Sequence, residues 1–479
     1  MKSLRTLAVI AVCFSLSLGA RAQEVKTANF LDNYLYGYRL NPSLTPSGTA
    51  GFIGLATGSV ALDADTNFGL SNFLFPQADG SLVTGFNKAV PESVFPGGLE
   101  KMNRLDAHAS WNVLAIGSSG KKGRYGHFEI NFVSDNSLGI PRSLFEALKS
   151  NNTTGNYQVK DLNFHTTNYL ELAFGRSKRN RNLAIGWAIK GLVGIAKMDA
   201  TIDMEINTAG DKMYVSSQGS MRASIPAVRI GTDGDGYYDF SKLTLNTENL
   251  MPTGFGAAID FGASYYLWKD RIILGAAVRN LGRMKWTPNI FGQNSGAKVY
   301  VDMDNPDNMT DGLKEMTKFK PIYVNEVGKI EKLPYSYNLS ARLKPFKFLT
   351  LGIVSTVNHY DGYVNKDVRL GAAFTPFRQF NVAGSYSIGN VGNEIGVAAS
   401  VRFLGITAFA GVDAIQYKVT PQYIPVDPLN VKLSTGVAFA FGQSKAKAAQ
   451  AKAASKKSVS PAAGNEASPL VQPEEMVLE

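Results

Sequence analysis

Asp233, Asp235 and Asp239 fall in a Gly- and Tyr-rich stretch with the alternate spacing at which carboxylates begin to wrap a calcium ion. A complete calcium loop needs glycine at its sixth position and a bidentate glutamate at its twelfth. This chain has Tyr238 at the sixth and no glutamate at the twelfth. Asp302, Asp304, Asp307 and Asp311 form a second acidic group, broken by Pro306. Both groups are weak calcium candidates, set against the plainer reading of solvated loop acids. Gly117-Ser-Ser-Gly120-Lys121-Lys122 is spaced in part like a phosphate loop, but Ala115 takes the place of its first glycine and Lys122 that of its Ser/Thr. It reads as a turn. His108, His127, His165 and His359 lack metal-ligand spacing, and no Gly-x-Ser-x-Gly elbow occurs. No enzyme activity, cofactor or established metal set is expected.

Lys2 and Arg5 precede the apolar run from Leu7 to Leu18, and Ala20-Arg21-Ala22 supplies a small-x-small cleavage pattern. Residues 1–22 are therefore predicted to be a secretory leader, with the mature chain starting at Gln23. Cys13, the chain's one cysteine, leaves with it, which excludes thiol chemistry and disulfides from the mature protein. Removing the three leader cations from a net charge of +10 leaves +7. The basic residues are scattered singly and match no nucleic-acid motif, so no nucleic-acid partner is expected.

The elements that must position any site are strands. Mean hydropathy is −0.08, and no apolar run beyond the leader approaches the ~20 residues of a spanning helix. Side chains alternate instead. Phe128, Ile130 and Phe132 oppose His127, Glu129 and Asn131; Leu183, Ile185, Trp187 and Ile189 oppose Ala184, Gly186, Ala188 and Lys190. Ile395, Val397, Ala399, Val401 and Phe403 oppose Glu394, Gly396, Ala398, Ser400 and Arg402. Period two over about ten residues with one apolar face is what a tilted strand needs to cross a bilayer. About fourteen such segments lie between residues 50 and 442, an even number that returns both barrel ends to one side. Connections on that side are short, at 117–123, 177–181, 268–270, 345–348, 376–378 and 404–405. The opposite set, 66–104, 135–165, 206–253, 282–334, 359–366, 389–392 and 417–430, holds every long connection. This asymmetry predicts an all-β, closed antiparallel transmembrane barrel in the outer membrane, surrounded by its lipid, with both termini periplasmic. The Pro-Phe turns near Pro345 and Pro376, with Tyr265, Trp268 and Trp286, suit an aromatic belt at the membrane boundary.

Three stretches carry a family resemblance: Asn33 to Ser43 (Asn-Tyr-Leu-Tyr-Gly-Tyr-Arg-Leu-Asn-Pro-Ser), Val278 to Trp286 (Val-Arg-Asn-Leu-Gly-Arg-Met-Lys-Trp), and Val431 to Gly442. Through them the chain resembles an outer-membrane barrel family of unknown function from Bacteroidota. That family is in turn similar to the long-chain fatty-acid transporter barrels and to barrels that accompany type IX secretion. The resemblance spans nearly the whole mature chain up to Gly442 and implies fourteen strands with an N-terminal plug. It carries over no ligand residue.

The inward faces combine small residues with isolated charges: Glu129, Glu171, Lys190, Asp260, Arg279, Arg342, Arg369 and Arg402. A barrel of this width is not filled by its own side chains, so water, a plug or a ligand must occupy it. Segment 23–49, with Tyr34, Tyr36, Tyr38 and the Asn41-Pro42 turn, is the natural plug, or else a loose lead-in. Residues 443–479 lack alternation and read as a disordered or partly helical periplasmic tail, open to an envelope partner. The function expected is a transporter or channel for a small solute, a hydrophobic one included. The alternative is a non-conducting barrel that docks envelope or secretion components.

Overall fold

Fourteen antiparallel strands, each bonded to the next in sequence, close on themselves where the last pairs with the first. In this computed structural model the described residues are 25–442 except 33, 57–58, 150–153, 210–211, 246–250, 303–317, 325–327, 361, 378, 391 and 416–427. The expected leader (1–22), the tail (443–479) and the acids Asp304, Asp307 and Asp311 lie outside them.

The strands are β1 (Gly51–Leu55 and Val60–Gly69), β2 (Met102–Ser119), β3 (Arg124–Pro141), β4 (Gly155–Asn180) and β5 (Leu183–Ala209). They continue with β6 (Gly254–Leu267), β7 (Ile272–Trp286), β8 (Tyr335–Phe346), β9 (Leu349–His359) and β10 (Val364–Phe377). The last four are β11 (Phe380–Gly389), β12 (Asn393–Phe403), β13 (Ile406–Ile415) and β14 (Pro428–Phe441). Closure is direct: Val60 of β1 faces Trp111 of β2 on one side and Thr435 of β14 on the other. No helix of the described residues is long and apolar enough to cross a membrane, and the crossing elements are the strands.

Alternation does the sorting. Leu172, Ile185, Ile189, Leu370, Ile395, Val397 and Val437 point outward and are exposed, while Ala173, Ala184, Ala188, Ala398 and Ala438 point inward and are buried. An unbroken apolar outer band on a closed sheet is the surface that a bilayer solvates. At the short-turn end the band finishes in Trp268, Phe346, Phe348, Phe377, Phe403 and Phe441, all exposed. One of the two-residue turns, Leu404-Gly405, has positive φ at both residues (46° and 83°), the primed geometry that matches strand twist and that glycine accepts without strain.

Two expectations are corrected. Trp286 does not belong to the aromatic belt: it is 3% exposed and packs inward with Met284, Leu192 and Tyr169. The cause is a β-bulge at Asn280 (φ 57°), where the β6–β7 register slips between Ile259 and Phe261. One extra residue reverses parity, so Arg279 faces inward before the bulge and Met284 and Trp286 face inward after it. The long connections, too, hold more strand than expected. β4 and β5 run for 26 and 27 residues, against the ~10 that a bilayer needs. Their upper halves leave the barrel as a sheet joined by Lys212–Ser224 and Ile290–Asp302. One face of this sheet buries Val159, Ile202, Met204, Ile206, Val215 and Met221 beneath the helix α1 (Arg142–Lys149) and the hairpin of Val228–Thr232 with Tyr238–Leu245.

Candidate functional site

The lumen at the short-turn end is filled by the chain's own residues 25–49. Val25, Ala28, Phe30, Leu31, Tyr34, Leu35, Tyr36 and Tyr38 form one buried cluster with wall residues Phe52, Tyr125, Val354, Ala373, Ala398 and Phe409. A short 3-10 turn (Lys26–Phe30) starts the segment and a second (Gly37–Arg39) bends it across the lumen. Tyr34 and Tyr36 meet Phe409 with ring centroids 5.0 and 5.8 Å apart, and Tyr38 stacks on His127 at 4.0 Å. The inward small residues are where the wall yields to this segment. A Cβ on Gly186 would strike the Pro42 carbonyl, one on Gly262 the Asn41 side chain, one on Gly371 the Phe30 ring, and one on Gly396 the Thr27 hydroxyl. Gly186→Val or Gly371→Val is therefore expected to lift the segment off the wall without opening the strand ladder. Faster tryptic cleavage at Lys26 or Arg39 with unchanged heat-modifiable migration is the readout.

Polar anchors hold the segment along its length. At its start, Lys26 donates its backbone N–H to Asp413 (2.7 Å) and its ammonium to Asp367; Thr27 bonds Asp413 and Ser385. Asp413 also pairs with Arg369 (3.1 Å), a fully buried guanidinium that reaches Glu394, which Lys432 joins at 2.6 Å. In the middle, the Tyr38 hydroxyl (2.6 Å) and the Arg39 guanidinium (2.7 Å) both donate to Glu129. Near the end, the Asn41 amide donates to the carbonyls of Ala263 (3.1 Å) and Ala276 (3.3 Å), while its oxygen accepts from Ser43, which meets Ser264 at 2.6 Å. Lys344 pairs with Asp32.

The other inward charges distribute as follows. Lys190 lies between Asp260 (2.9 Å) and Glu171 (3.5 Å) and also bonds Asn280. Arg342 lies within electrostatic reach of Asp32. Arg402 donates to Thr407 and the Ser47 carbonyl. Arg279 has no partner at its buried Nε. The structure also assembles groups that the sequence reading did not single out. In strand register, Asp135, His108, Asp63, Lys432 and Asp413 stand side by side on five neighbouring strands, spanning the β14–β1 closure. Their parity with small inward neighbours such as Ser434 and Gly436 was the available signal; their adjacency was not, because it depends on register.

Above the segment lies a chamber of about 130 Å³ lined by Arg39, Glu129, Lys190, Asp260, Arg279 and Asn358, among others. Through Tyr335, His359 and Tyr360 it continues into a vestibule of about 980 Å³ at the long-loop end. Aromatic and charged groups alternate there, Trp286 and Tyr363 beside Asp106, Asp135, Lys197 and Asp199. Of the candidate calcium acids, Asp233, Asp235 and Asp239 line neither cavity. Asp233 accepts the N–H groups of Asp235 and Tyr237 in its own turn. Asp239 bonds Ser241, whose hydroxyl and N–H hold the carboxyl below its ordinary pKa. Among the described residues no group of three or more His, Cys, Asp or Glu is placed to hold a metal ion.

Solved structures with a similar general build include the Ralstonia pickettii toluene transporter TbuX, at 8% identity over 86% of this chain and 95% of that one, with a TM-score of 0.44. The P. putida toluene transporter TodX follows at 9% identity, 84% and 92% coverage and a TM-score of 0.41. A Pseudomonas aeruginosa FadL homologue has 11% identity, 88% and 100% coverage and a TM-score of 0.42. No curated protein sequence matches the chain. The model of one family, described as a family of unknown function (DUF5723), matches residues 42–413, from the turn that meets the β5 and β6 walls to the aspartate that anchors Lys26, and the chain belongs to that family.

Proposed function

We propose that this protein is a plugged outer-membrane channel for a small solute, with its short turns and both ends of the barrel in the periplasm. The single observation that carries this reading is the combination of an internal segment crossing the lumen from wall to wall with a roomy cavity directly above it. The anchors suit an element that can move. Most are side-chain hydrogen bonds and ion pairs rather than backbone ladders, so the segment can detach without unzipping a strand. The lining supports a solute with polar groups, because charged and amide side chains share the chamber and vestibule with the aromatics. Whether this lumen conducts separates a channel from a closed docking barrel.

Deleting residues 24–46 is the direct test. The segment covers inner walls of glycine and alanine, whose contact with it is worth about 25 cal/mol per Å² of apolar area, and no other part of the described chain fills that space. Planar-bilayer recordings are expected to show a large rise in conductance for the deletion, with heat-modifiable migration retained. An assembled deletion variant with unchanged conductance would favour the docking barrel.

A further inference from the structure

We propose that the chamber above the plug contains an oxyanion-binding point made by Arg279, Ser336 and Asn358, so that the solute, or the part of it held there, is a carboxylate, phosphate or sulfate group. This rests on the reading of the lumen as a solute path.

The chamber holds three cations and three carboxylates, and their pairing is uneven. Glu129 takes Arg39 and Tyr38. Glu171 and Asp260 both take Lys190, and Asp260 also accepts the Asn280 N–H at 2.6 Å. Arg279 is left over: no described carboxylate or carbonyl receives its guanidinium, and its Nε is buried without a partner. An unpaired guanidinium inside a membrane barrel is costly and persists only where something answers it. Strand parity aims it, since Arg279 continues the inward row of Gly275 and Ala277 just before the bulge at Asn280.

Two donors flank it by register. Arg279 faces Ser336, and Ser336 faces Asn358, so the three stand in one row across β7, β8 and β9, with neighbours about 5 Å apart. All three line the chamber, and the Asn358 amide nitrogen is buried with no acceptor. Of the chamber's buried polar atoms left without a partner, Arg279 Nε and the Asn358 amide nitrogen are donors and His127 Nδ1 takes either role with its tautomer, which favours an occupant rich in acceptors. A guanidinium beside a hydroxyl and an amide matches the planar or tetrahedral oxygen array of an oxyanion. The chamber, about 130 Å³ and open to the vestibule, has room for such a group.

The test is calorimetric titration of the purified full-length protein in detergent with inorganic phosphate and, separately, with acetate. Saturable binding of at least one is expected. Arg279→Gln should weaken it about tenfold or more, the loss of charge-assisted hydrogen bonds, with Arg279→Lys in between. Preference for phosphate or acetate assigns the class. Binding of neither probe by the wild type, or equal affinity in Arg279→Gln, overturns the proposal. If Arg279→Gln fails to assemble, Asn358→Leu decides, with a several-fold loss expected and unchanged affinity fatal. Binding in detergent needs no conduction, so a negative result here leaves the plug-deletion recording to judge the channel separately.

Discussion

Asp413→Leu is expected to release the N-terminal segment while the barrel stays closed. Asp413 is fully buried and gathers four donors: the N–H groups of Lys26 (2.7 Å) and Thr27 (3.4 Å), the Thr27 hydroxyl, and Arg369 at 3.1 Å. Removing it leaves Arg369 with Glu394 as its one carboxylate partner and orphans the donors that start the segment. Losing a buried hydrogen bond to a charged group costs about 1.5–3 kcal/mol. That loss falls on the docking of the segment, since β13 is held to β12 and β14 by backbone bonds that the substitution does not touch. Trypsin should then cut at Lys26 and Arg39 in the intact barrel, and conductance should rise toward that of the deletion. Protection unchanged in the single variant would mean that the anchors at Glu129, Asn41 and Lys344 and the apolar contacts of Phe30 and Tyr34 hold the segment without Asp413.

The barrel was legible because its signal is local. Any ten residues of β5 or β12 display both faces, and the loop asymmetry follows from counting along the chain. Parity misled where a single inserted residue changed it: nothing in the run Val278 to Trp286 announces the bulge at Asn280, and Trp286 accordingly reads as a belt residue. The upper half of β4, within the expected connection 135–165, reads as loop for another physical reason. Beyond the bilayer the outer face is free to be polar, as with Asn156 and Gln158, so only the inward Tyr157 and Val159 keep the period. The small inward residues pointed to a filler of the lumen, but a glycine does not say what it faces. That Gly186 receives Pro42 and Gly371 receives Phe30 is a matter of three-dimensional docking. The charge row is harder still, since Asp63, His108 and Lys432 become neighbours only through closure of the first strand on the last.

The outer face gives the second large effect. Val397, 50% exposed in the middle of β12, and Leu172, 38% exposed on β4, stand in the apolar band. Arginine at either site must hold its guanidinium in hydrocarbon or bend it toward a boundary, at a cost of about 2–4 kcal/mol at the bilayer midplane that falls toward the interfaces. Glu171→Gln, one residue away but inward, removes only the more distant of the two carboxylates at Lys190 and keeps Asp260 at 2.9 Å, so it should cost far less. Denaturant titration of the protein refolded into lipid vesicles reads the difference, and heat-modifiable migration reports assembly. In detergent micelles, which deform around a charge, the arginine variants should recover much of their stability, because their penalty comes from the bilayer and not from packing inside the barrel. Comparable losses for Leu172→Arg and Glu171→Gln in vesicles would reverse the assignment of inside and outside, and with it the placement of every lumen charge from Glu129 to Arg369.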